Sequence, residues 1–553
     1  MEDFLANPIV FRRNTNVGAP DAESDTAFLS ECFLDSGDVA ALLDTDDPKC
    51  IVLGRTGAGK SALLAEVLKR AEHAVELSPE ALALSYVNNS EVLKFFEAAG
   101  VNLDVFYSLL WRHILTVELL KMRYEINNAE KQRFFLERLA ELFSRDRVKE
   151  RALRYLREWG DQFWEETEYR TKEFTRKLET DLKASAQVAA SFVSLGAEGA
   201  KKLSEEQVIE VRDCGNRVVN AVQVKELHDV ISLLSENVFD NRQKKYYIVI
   251  DRLDESWVSD HVRFKLIKAL IETVKTFKKI HNVKIILALR TDIHYRMIRE
   301  TPTAGFQEEK YRAMYLPLRW NRTQLVEMLE KRVNVMFKRQ YTREGVTLKD
   351  ILPANQIEQR TAAEYMLDRT FFRPREAIIF LNECIARAEG TTRITAALIR
   401  QAEVQYSQQR LQSLGDEWRR DYPNLSRATS LLSRVENPFS IESLGKERAE
   451  KAAITILEAN GPQDEIFVAA QSYYLEERTS WEDFVESLML INYMVGLVGI
   501  KPEPHLGRQW SYLDQPTMTR DQLKASSQID VHKTFWASLG VIRRGKGAYA
   551  QET

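Results

Sequence analysis

The stretch CIVLGRTGAGKSALLAEVLKR, residues 50–70, limits the fold more than any other part of the chain. It begins with residues that suit a short buried strand and ends with the apolar spacing of a helix. Between them, Gly54, Gly59, Lys60 and Ser61 satisfy the spacing G-x-x-x-x-G-K-[ST]. Glycines in such a turn let backbone N–H groups face an anion at the start of the helix. The stretch therefore predicts a phosphate-binding loop; a glycine-rich structural turn is the alternative.

The same loop predicts a nucleotide with a divalent metal ion. The Lys60 ammonium can reach the β- and γ-phosphates, and the Ser61 hydroxyl is placed to bind Mg²⁺. We therefore expect ATP and Mg²⁺ as ligands. The predicted nucleotide-binding residues of this loop are Gly54, Arg55, Thr56, Gly57, Ala58, Gly59, Lys60, Ser61 and Ala62.

The segment KKYYIVIDRLDESW predicts the second anchor for the metal. Tyr246–Ile250 is aromatic and β-branched, as in a buried strand, and Asp251 ends the run. A carboxylate after a neighbouring strand is the usual second Mg²⁺ anchor beside such a loop, so Asp251 is a predicted metal ligand together with Ser61. Asp254 or Glu255 could polarise the attacking water. Both acids could instead cap the helix that follows.

A third apolar run, VKIILALRTD, ends at Arg290 and the two residues after it. Parallel strands of an open α/β sheet end at one edge, and ligands bind there. We therefore expect the phosphate loop, Asp251 and Arg290 to converge on one crevice, where the Arg290 guanidinium could contact the γ-phosphate. A solvent-facing salt bridge is the alternative for Arg290.

Taken in order, GRTGAGKS, YYIVIDRLDE and KIILALRTD resemble the signal-transducing (STAND) and AAA-like P-loop ATPases. Later stretches resemble a narrower, KAP-like group of large bacterial P-loop ATPases that recur beside mobile-element and phage-defence genes. These stretches are TAGFQEEKYRAMYLPLRWNRTQLVEMLEKRV, RTFFRPREAIIFLNECIARA and YSQQRLQSLGDEWRRDYPNL. The resemblance extends from near Asp21 to about Val541. One departure is Arg252, which stands where many hydrolytic relatives carry an acid, so the identity of the base stays open.

The resemblance implies further site residues and partners. Arg373 and Arg375, in RPRE, occupy the place of a lid or sensor arginine in such ATPases, where a guanidinium binds phosphate oxygens. Arg312 is near the place from which ring-forming relatives reach a neighbour's nucleotide. RPRE could instead begin a helix, with Pro374 in its first turn. A homo-oligomer and a separate effector protein are the implied partners.

The chain, at 553 residues, is long enough for several domains. We predict an α/β fold, a P-loop NTPase core with a mostly parallel sheet, a long helical insertion, a helical lid and a helical, winged-helix-like C-terminal domain. The interval before the Asp251 strand is far longer than a crossover needs, and its spacing is helical. The predicted boundaries are 1–88 for the N-terminal segment and first part of the core, 89–241 for the insertion, 242–322 for the rest of the core, 323–425 for the lid and 426–553 for the C-terminal domain.

The C-terminal domain is expected to combine three helices with a hairpin. ERAEKAAITILEA, WEDFVESLMLINYMVGLVGI and IDVHKTFWASLGVI have helical spacing, and RQWSYL suits a hairpin strand. In such a module one helix could enter a DNA groove while Arg543, Arg544 and Lys546 contact the backbone. Docking of a partner protein is the alternative, and the lack of a dense basic stretch favours it.

Composition excludes several other classes of protein. The net charge of -4 gives no overall basic surface, so any DNA contact needs a local patch. The four cysteines are far apart in sequence, which predicts free thiols. MEDFLANPIVFRRN lacks the apolar segment of a signal peptide, and ASAQVAASFVSLGAEGA is too short to cross a bilayer. We therefore expect a cytoplasmic protein without membrane contact.

Three functions fit these observations. The first is an ATP-binding and hydrolysing molecular switch, oligomeric, that controls an effector; a role in bacterial antiviral (phage) defence is implied by the resemblance alone. The second is a DNA-acting ATPase, a loader or translocase. The third is a scaffold that holds nucleotide with little hydrolysis. The sequence contains no H-E-x-x-H motif and no other nuclease, protease or deaminase signature.

Overall fold

The computed structural model divides the chain into two units. The sheet unit comprises Asp35–Arg319, and the helical unit comprises Met1–Leu34 together with Trp320–Thr553. The structure describes residues 10–82, 84–125, 167–185, 193, 196–221, 239, 241, 243–255, 257–301, 307–341, 345–458, 462–513, 517–523 and 527–543. Among those residues, none of the helices combines the length and the apolar character that crossing a bilayer requires.

Parallel strands form the sheet of the sheet unit. They are β1 (Ile51–Gly54), β2 (His73–Leu77), β3 (Tyr246–Ile250), β4 (Val283–Arg290) and β5 (Tyr315–Pro317). Their order is β2-β3-β4-β1-β5, and every pair is parallel. β3 is buried throughout and β4 is buried up to Arg290, which is why both are unbroken apolar runs. The predicted α/β fold with a mostly parallel sheet is confirmed.

Helices are numbered in chain order, and α1 (Thr26–Cys32) belongs to the helical unit. The helices of the sheet unit are α2 (Asp38–Leu43), α3 (Lys60–Arg70), α4 (Ser85–Asn89), α5 (Glu91–Ala98), α6 (Asp104–Tyr124), α7 (Thr167–Ser185), α8 (Gly196–Ala200), α9 (Glu205–Ala221), α10 (Asp260–Phe277) and α11 (Thr291–Glu300), and a 3₁₀ helix spans Glu308–Met314. Every element that the structure describes between residues 90 and 241 is a helix. The long insertion predicted there is helical as far as it is described.

The core of the sheet unit lies between the strands and the helices that cover them. α6 packs on α10 and also contacts β2 and β3. The indole of Trp111 is fully buried at this helix contact, and its Nε1 donates a hydrogen bond to the carbonyl oxygen of Leu266 at 2.8 Å. α10 is followed by β4, so this packing holds the helix that precedes one of the strands of the site.

The strand order brings three strand ends together. β4 lies between β1 and β3, so the strand before the phosphate loop and the strand before Asp251 are separated by one strand only. In the register of the sheet, Gly54 is paired with Arg290. The last residues of β1, β3 and β4 therefore lie along the same edge of the sheet.

The helical unit contains the remaining elements. Its helices are α12 (Arg322–Tyr341), α13 (Leu348–Ile351), α14 (Ala362–Leu367), α15 (Pro374–Arg387), α16 (Ala396–Glu417), α17 (Leu425–Ala428), α18 (Ile441–Leu444), α19 (Lys446–Leu457), α20 (Glu465–Tyr474), α21 (Trp481–Val495) and α22 (Trp536–Leu539). The short 3₁₀ helices are Thr429–Leu432, Arg520–Gln522 and Lys533–Phe535. Its strands are β6 (Glu436–Asn437), β7 (Val498–Lys501), β8 (Gln528–Val531) and β9 (Ile542–Arg543).

The N-terminal segment packs within the helical unit. The first predicted domain, residues 1–88, joins an N-terminal segment to the first part of the core; residues 10–34 belong to the helical unit, and Asp35 begins the sheet unit. α1 contacts α12, and the buried Asp25 carboxylate pairs with Arg332 at 2.5 Å. The Phe11 ring lies 6.2 Å from the Phe337 ring, and the Val17 N–H donates to Asn382 Oδ1 at 2.9 Å. Local periodicity could not reveal partners this far along the chain.

The C-terminal part also differs in detail from the prediction. α19, α20 and α21 precede an antiparallel pair of strands, β7 and β8. Gly496, with a φ of +93°, ends α21, so the following residues form β7 instead of extending the helix. The segment IDVHKTFWASLGVI begins as β8 and is helical only in short pieces, and RQWSYL contributes a single bridge from Gln509 to Ile500. Three helices and a strand pair are nevertheless present.

The predicted lid and the C-terminal module pack on each other within the helical unit. Lys533 Nζ lies 3.0 Å from Asp368 Oδ2, and the Thr534 hydroxyl donates to the carbonyl oxygen of Arg369 at 2.7 Å. The ring of Phe371, just before RPRE, lies in the same apolar core as α21 and β7. The chain after Trp320 thus forms one unit.

Candidate nucleotide-binding site

The phosphate loop connects β1 to α3 through two residues with left-handed backbone. Gly57 has a φ of +76° and Gly59 a φ of +95°, which glycine adopts at no steric cost. A Cβ on Gly54 would come within 3.2 Å of the Ala58 Cβ, so the loop closes tightly at its start. In this fully described loop no side chain caps the N-terminus of α3. The first turn of α3 therefore presents backbone N–H groups to an anion, as in phosphate-binding helices.

Lys60 lies folded against its own loop. Its ammonium donates to the carbonyl oxygens of Gly54 at 3.0 Å and Arg55 at 3.2 Å. Burial lowers the pKa of Lys60, and the negative charges of Asp254 and then Asp251 act against that shift. The ammonium is thus held at the mouth of the loop, where it can exchange the carbonyl oxygens for phosphate oxygens.

Ser61 and Asp251 meet, although 190 residues separate them in sequence. The Ser61 hydroxyl donates to Asp251 Oδ2 at 2.8 Å. A hydroxyl and a carboxylate oxygen at this spacing are hard oxygen donors, which suit Mg²⁺ when phosphate oxygens and water complete its shell. Among the described residues no group of three or more His, Cys, Asp and Glu side chains could hold a metal ion, so the pair would need oxygens of the nucleotide and water to complete a metal site. The pair fits the metal site that the sequence predicts.

The loop after β3 turns sharply at Arg252. Its φ is +60°, and its backbone N–H donates to Asp251 Oδ1 at 2.8 Å. The turn separates the two candidate bases. Asp254 Oδ2 lies 3.7 Å from Arg290 Nη1, whereas the exposed Glu255 carboxylate lies 4.0 Å from Arg252 Nε. Asp254 is therefore the acid of this loop that faces the other site residues.

Arg290 ends β4 beside the phosphate loop and is held by carboxylates. Its Nε and Nη2 donate to the two oxygens of Asp292 at 3.0 and 2.7 Å. The Arg290 side chain is 16% exposed, so most of it is shielded from solvent but part of it remains accessible. The predicted solvent-facing salt bridge is thus present in part, and the guanidinium also lies at the predicted crevice. The structure brings the phosphate loop, Asp251, Asp254 and Arg290 to one edge of the sheet; their chemical roles stay predictions.

The other predicted arginines belong to other elements of the chain. Arg312 is exposed on the 3₁₀ helix just before β5. Arg373 and Arg375 belong to the helical unit, where α15 begins at Pro374, as the alternative interpretation of RPRE had it. Arg373 is buried between Glu376 and Glu417, with Nη1 at 3.6 and 3.4 Å from their oxygens. Arg375 is partly exposed, and its Nε donates to the carbonyl oxygen of Pro20 at 3.2 Å.

Two charged residues of the site were not predicted as functional. Asp292 is the bidentate partner of Arg290, and its place directly after a strand could have indicated it. Arg263 is 1% exposed and donates to the carbonyl oxygens of Asp254 and Glu255 at 2.9 and 3.0 Å. An arginine in the first turn of an amphipathic helix looks like a surface residue in sequence, so nothing indicated Arg263.

The chain is similar to known proteins in three comparisons. Residues 323–415 match a family described as the FunZ-associated C-terminal helical domain. The chain is 22% identical over 535 residues to an 80.3 kDa protein of transposon gamma-delta from Escherichia coli (strain K12), covering 95% of this chain and 67% of that protein. A Walker-type ATPase of Pyrococcus abyssi superposes with a TM-score of 0.34 at 12% identity, covering 92% of this chain and 95% of that one.

The strand order and the loop geometry define the class of protein. A parallel sheet carries a G-x-x-x-x-G-K-[ST] loop at the end of β1, and a carboxylate at the end of β3 contacts the loop's serine. The chain has the α/β fold of a P-loop NTPase, with a helical domain of the FunZ-associated type after it.

Proposed function

We propose that the chain binds and hydrolyses ATP and uses the cycle as a molecular switch. The observation that carries the proposal is the 2.8 Å contact between Ser61 Oγ and Asp251 Oδ2 beside the Lys60 ammonium. A purely structural glycine turn does not require a carboxylate beside its serine, whereas here Asp251, directly after the buried strand β3, accepts from Ser61. Bound Mg²⁺, held by Ser61 and Asp251, would neutralise charge on the phosphates.

The residues of the chain supply the rest of the chemistry. Lys60 binds phosphate oxygens with its ammonium, and the N–H groups at the start of α3 orient the phosphates. Asp254 could accept a proton from water, because its half-buried carboxylate lies 3.7 Å from Arg290 at the crevice. Arg290, 3.7 Å from Asp254, can stabilise the charge that develops on the γ-phosphate.

A turnover assay with purified protein tests the proposal. We expect Lys60→Ala and Asp251→Asn each to lower ATP hydrolysis by at least about 100-fold, because each removes charge at the phosphates. Lys69→Ala and Asp46→Asn are matched controls, since both residues are exposed in the same unit. Full turnover in either site variant would contradict the site, and slow wild-type turnover that is insensitive to Asp254→Asn would favour the scaffold.

The switch is proposed to be a homo-oligomer that controls a separate effector in antiviral defence. The support is the resemblance of the sequence to STAND and KAP-like ATPases, which recur beside mobile-element and phage-defence genes. The similarity to a transposon protein is in keeping with the mobile-element side of that setting. Exposed Arg312 is available to a neighbouring subunit. Measuring the molecular mass of the protein with ATP and with ADP tests whether it assembles. The same measurement on Arg312→Ala tests whether this arginine takes part in assembly.

A DNA-acting ATPase is the second candidate, favoured by the arrangement of three helices and a strand pair and by the transposon relative. The charge of α21 argues against DNA binding by this part of the chain. α21, which precedes the strand pair, carries Glu482, Asp483 and Glu486 and no lysine or arginine. Arg543 is exposed, but Arg544 and Lys546 lie outside the described residues. Hydrolysis stimulated by DNA, with a steep salt dependence, would support this candidate over the switch.

A further inference from the structure

Arg263, in the first turn of α10, binds the loop that carries the candidate base. Its Nη1 donates to the carbonyl oxygens of Asp254 and Glu255 at 2.9 and 3.0 Å. One guanidinium group therefore fixes two successive peptide groups of this loop. The backbone of Asp254 cannot shift toward or away from the phosphate loop without breaking these bonds.

The arginine is buried, which is unusual for a residue that only covers a helix surface. Its side chain is 1% exposed, and Nη2 pairs with Asp260 Oδ1 at 2.7 Å. Its Cζ lies 5.4 Å from the centroid of the buried Phe264 ring. A buried guanidinium must be paired and hydrogen-bonded to offset its lost hydration, and here that requirement is met by Asp260 and by the loop.

A second arginine extends the contact to the strand end of Arg290. Asp260 Oδ2 pairs with Arg296 Nη2 at 3.2 Å, and Arg296 also lies over the Phe264 ring, at 4.9 Å. Arg296 is on α11, the helix that begins directly after Arg290. Asp260 thus joins the helix that holds the Asp254 loop to the helix that follows Arg290.

We propose that Arg263 is a positioning residue of the hydrolytic site. It sets the place of the Asp254 carboxylate relative to Arg290 by holding the backbone of Asp254, and Asp260 and Arg296 keep α10 and α11 in register for this purpose. The proposal rests on the proposed ATP hydrolysis at the same site. Arg263 does not face the phosphates through any of these contacts, so it acts on turnover through Asp254 and not on nucleotide binding.

The first experiment separates positioning from binding in the full chain. Arg263→Met keeps the apolar stem on Phe264 and removes every donor, and Arg263→Lys keeps a cation that lacks the two-pronged geometry. We expect kcat to fall about 10- to 30-fold in Arg263→Met and less in Arg263→Lys. The Kd of a fluorescent ATP analogue should change less than about twofold in both. Arg299→Met, an exposed arginine on α11, is the matched control.

The second experiment asks whether Arg263 acts through Asp254. In a cycle of Arg263→Met, Asp254→Asn and the double variant, the effect of Arg263→Met on kcat should disappear once Asp254 is replaced. A residue that served only stability would lower kcat by the same factor in both backgrounds. If Arg263→Met fails to fold, the same cycle is run with Arg263→Lys, with kcat expressed per nucleotide-binding site titrated.

The outcomes for this inference and for the proposed function are distinct. A wild-type protein that neither binds nor hydrolyses ATP would overturn the proposed function. A wild type that turns over, with Arg263 variants that keep wild-type kcat, would overturn the inference alone. Equal losses in kcat with and without the Asp254 carboxylate, or a loss of binding as large as the loss of kcat, would assign Arg263 a purely structural role.

Discussion

Arg290 and Arg373 were both predicted to contact phosphate, and the two units of the molecule treat them differently. Arg290 ends a strand in the sheet unit, with its side chain 16% exposed and its partners Asp292 and Asp254 at the crevice. Arg373 begins a helix in the helical unit, with its side chain 5% exposed between Glu376 and Glu417. It also lies 5.0 Å over the Phe371 ring.

Both residues are arginines, so the difference between them lies in how deeply each side chain is buried. A guanidinium that is partly solvated can exchange a carboxylate for a phosphate at small cost, because water takes up the released charge. A guanidinium in an apolar core leaves uncompensated carboxylates behind when it moves. Arg410 adds to this core by pairing with Glu376 at 2.8 Å. We therefore expect Arg373 to stabilise the helical unit and Arg290 to remain available to a ligand.

The largest expected effect is on stability, in the helical unit. Arg373→Met should lower the free energy of unfolding by about 3–5 kcal/mol, because it removes a buried cation that contacts both Glu376 and Glu417. Denaturant unfolding measures the loss, and Arg419→Met, at an exposed pair, is the control. Turnover per folded molecule should stay within about twofold of the wild type. Unchanged stability with lost turnover would make Arg373 a phosphate ligand and break the comparison.

The next effect is on catalysis, in the sheet unit. Arg290→Gln should lower kcat about 10- to 100-fold, equivalent to about 1.4–2.7 kcal/mol, because a neutral amide stabilises developing charge poorly. The amide can still donate to Asp292, so stability should fall less than in Arg373→Met. Steady-state hydrolysis and unfolding of the same samples measure both quantities. A stability loss as large as that of Arg373→Met with unchanged kcat would refute the distinction.

Acid should weaken both units, the sheet unit through His294 and the helical unit through His532. Burial lowers the pKa of His294 to about 4 and that of His532 to about 3, from an ordinary value of 6.5. The unfolded chain then binds more protons than the folded one below pH 6.5, so stability is complete above that pH and is lost as the pH falls. Each histidine should cost about 2 kcal/mol at pH 5. Urea unfolding at pH 7 and 5 checks this, and each His→Gln variant should lack its own share of the loss.

The smallest expected effect concerns Arg375, two residues beyond Arg373. It is partly exposed and donates one hydrogen bond to the carbonyl oxygen of Pro20, so Arg375→Ala should cost less than about 1 kcal/mol of stability. If it is the lid arginine that the resemblance implies, kcat should also fall by about 5- to 10-fold, equivalent to about 1–1.4 kcal/mol of activation free energy. Thermal unfolding measures the structural role of Arg375, and turnover measures its role as a lid arginine. Unchanged turnover would contradict the lid role.

The parts of the site that could be predicted are those encoded by neighbouring residues. The phosphate loop, Asp251 and Arg290 each stand directly after an apolar run, and the rule that parallel strands end at one edge brings them together. The α/β fold follows from the same runs. Asp254 was one of two acids for the same role, and only the turn at Arg252 distinguishes it from Glu255.

The parts that could not be predicted depend on distant partners. The contact of Arg373 with Glu417, 44 residues away, has no signal in the sequence around RPRE. Arg263 looks like a surface residue until the loop before its helix folds back on it. The segment with Ile529 and Val531 was predicted to be helical, because so short a strand shows no clear alternation of apolar and polar residues. In the structure both residues pair with β7, and this tertiary contact overrides the helical spacing of the apolar residues.

The pairing of the N-terminal segment with α12 has a consequence for how the chain is made. Asp25 cannot form its ion pair until Arg332, 307 positions later in the chain, has left the ribosome. At about 5–20 residues per second this delay is about 15–60 s. The sheet unit, Asp35–Arg319, is synthesised before Arg332, so it can fold while residues 10–34 still lack their partners. The order of synthesis thus favours folding of the sheet unit before that of the helical unit.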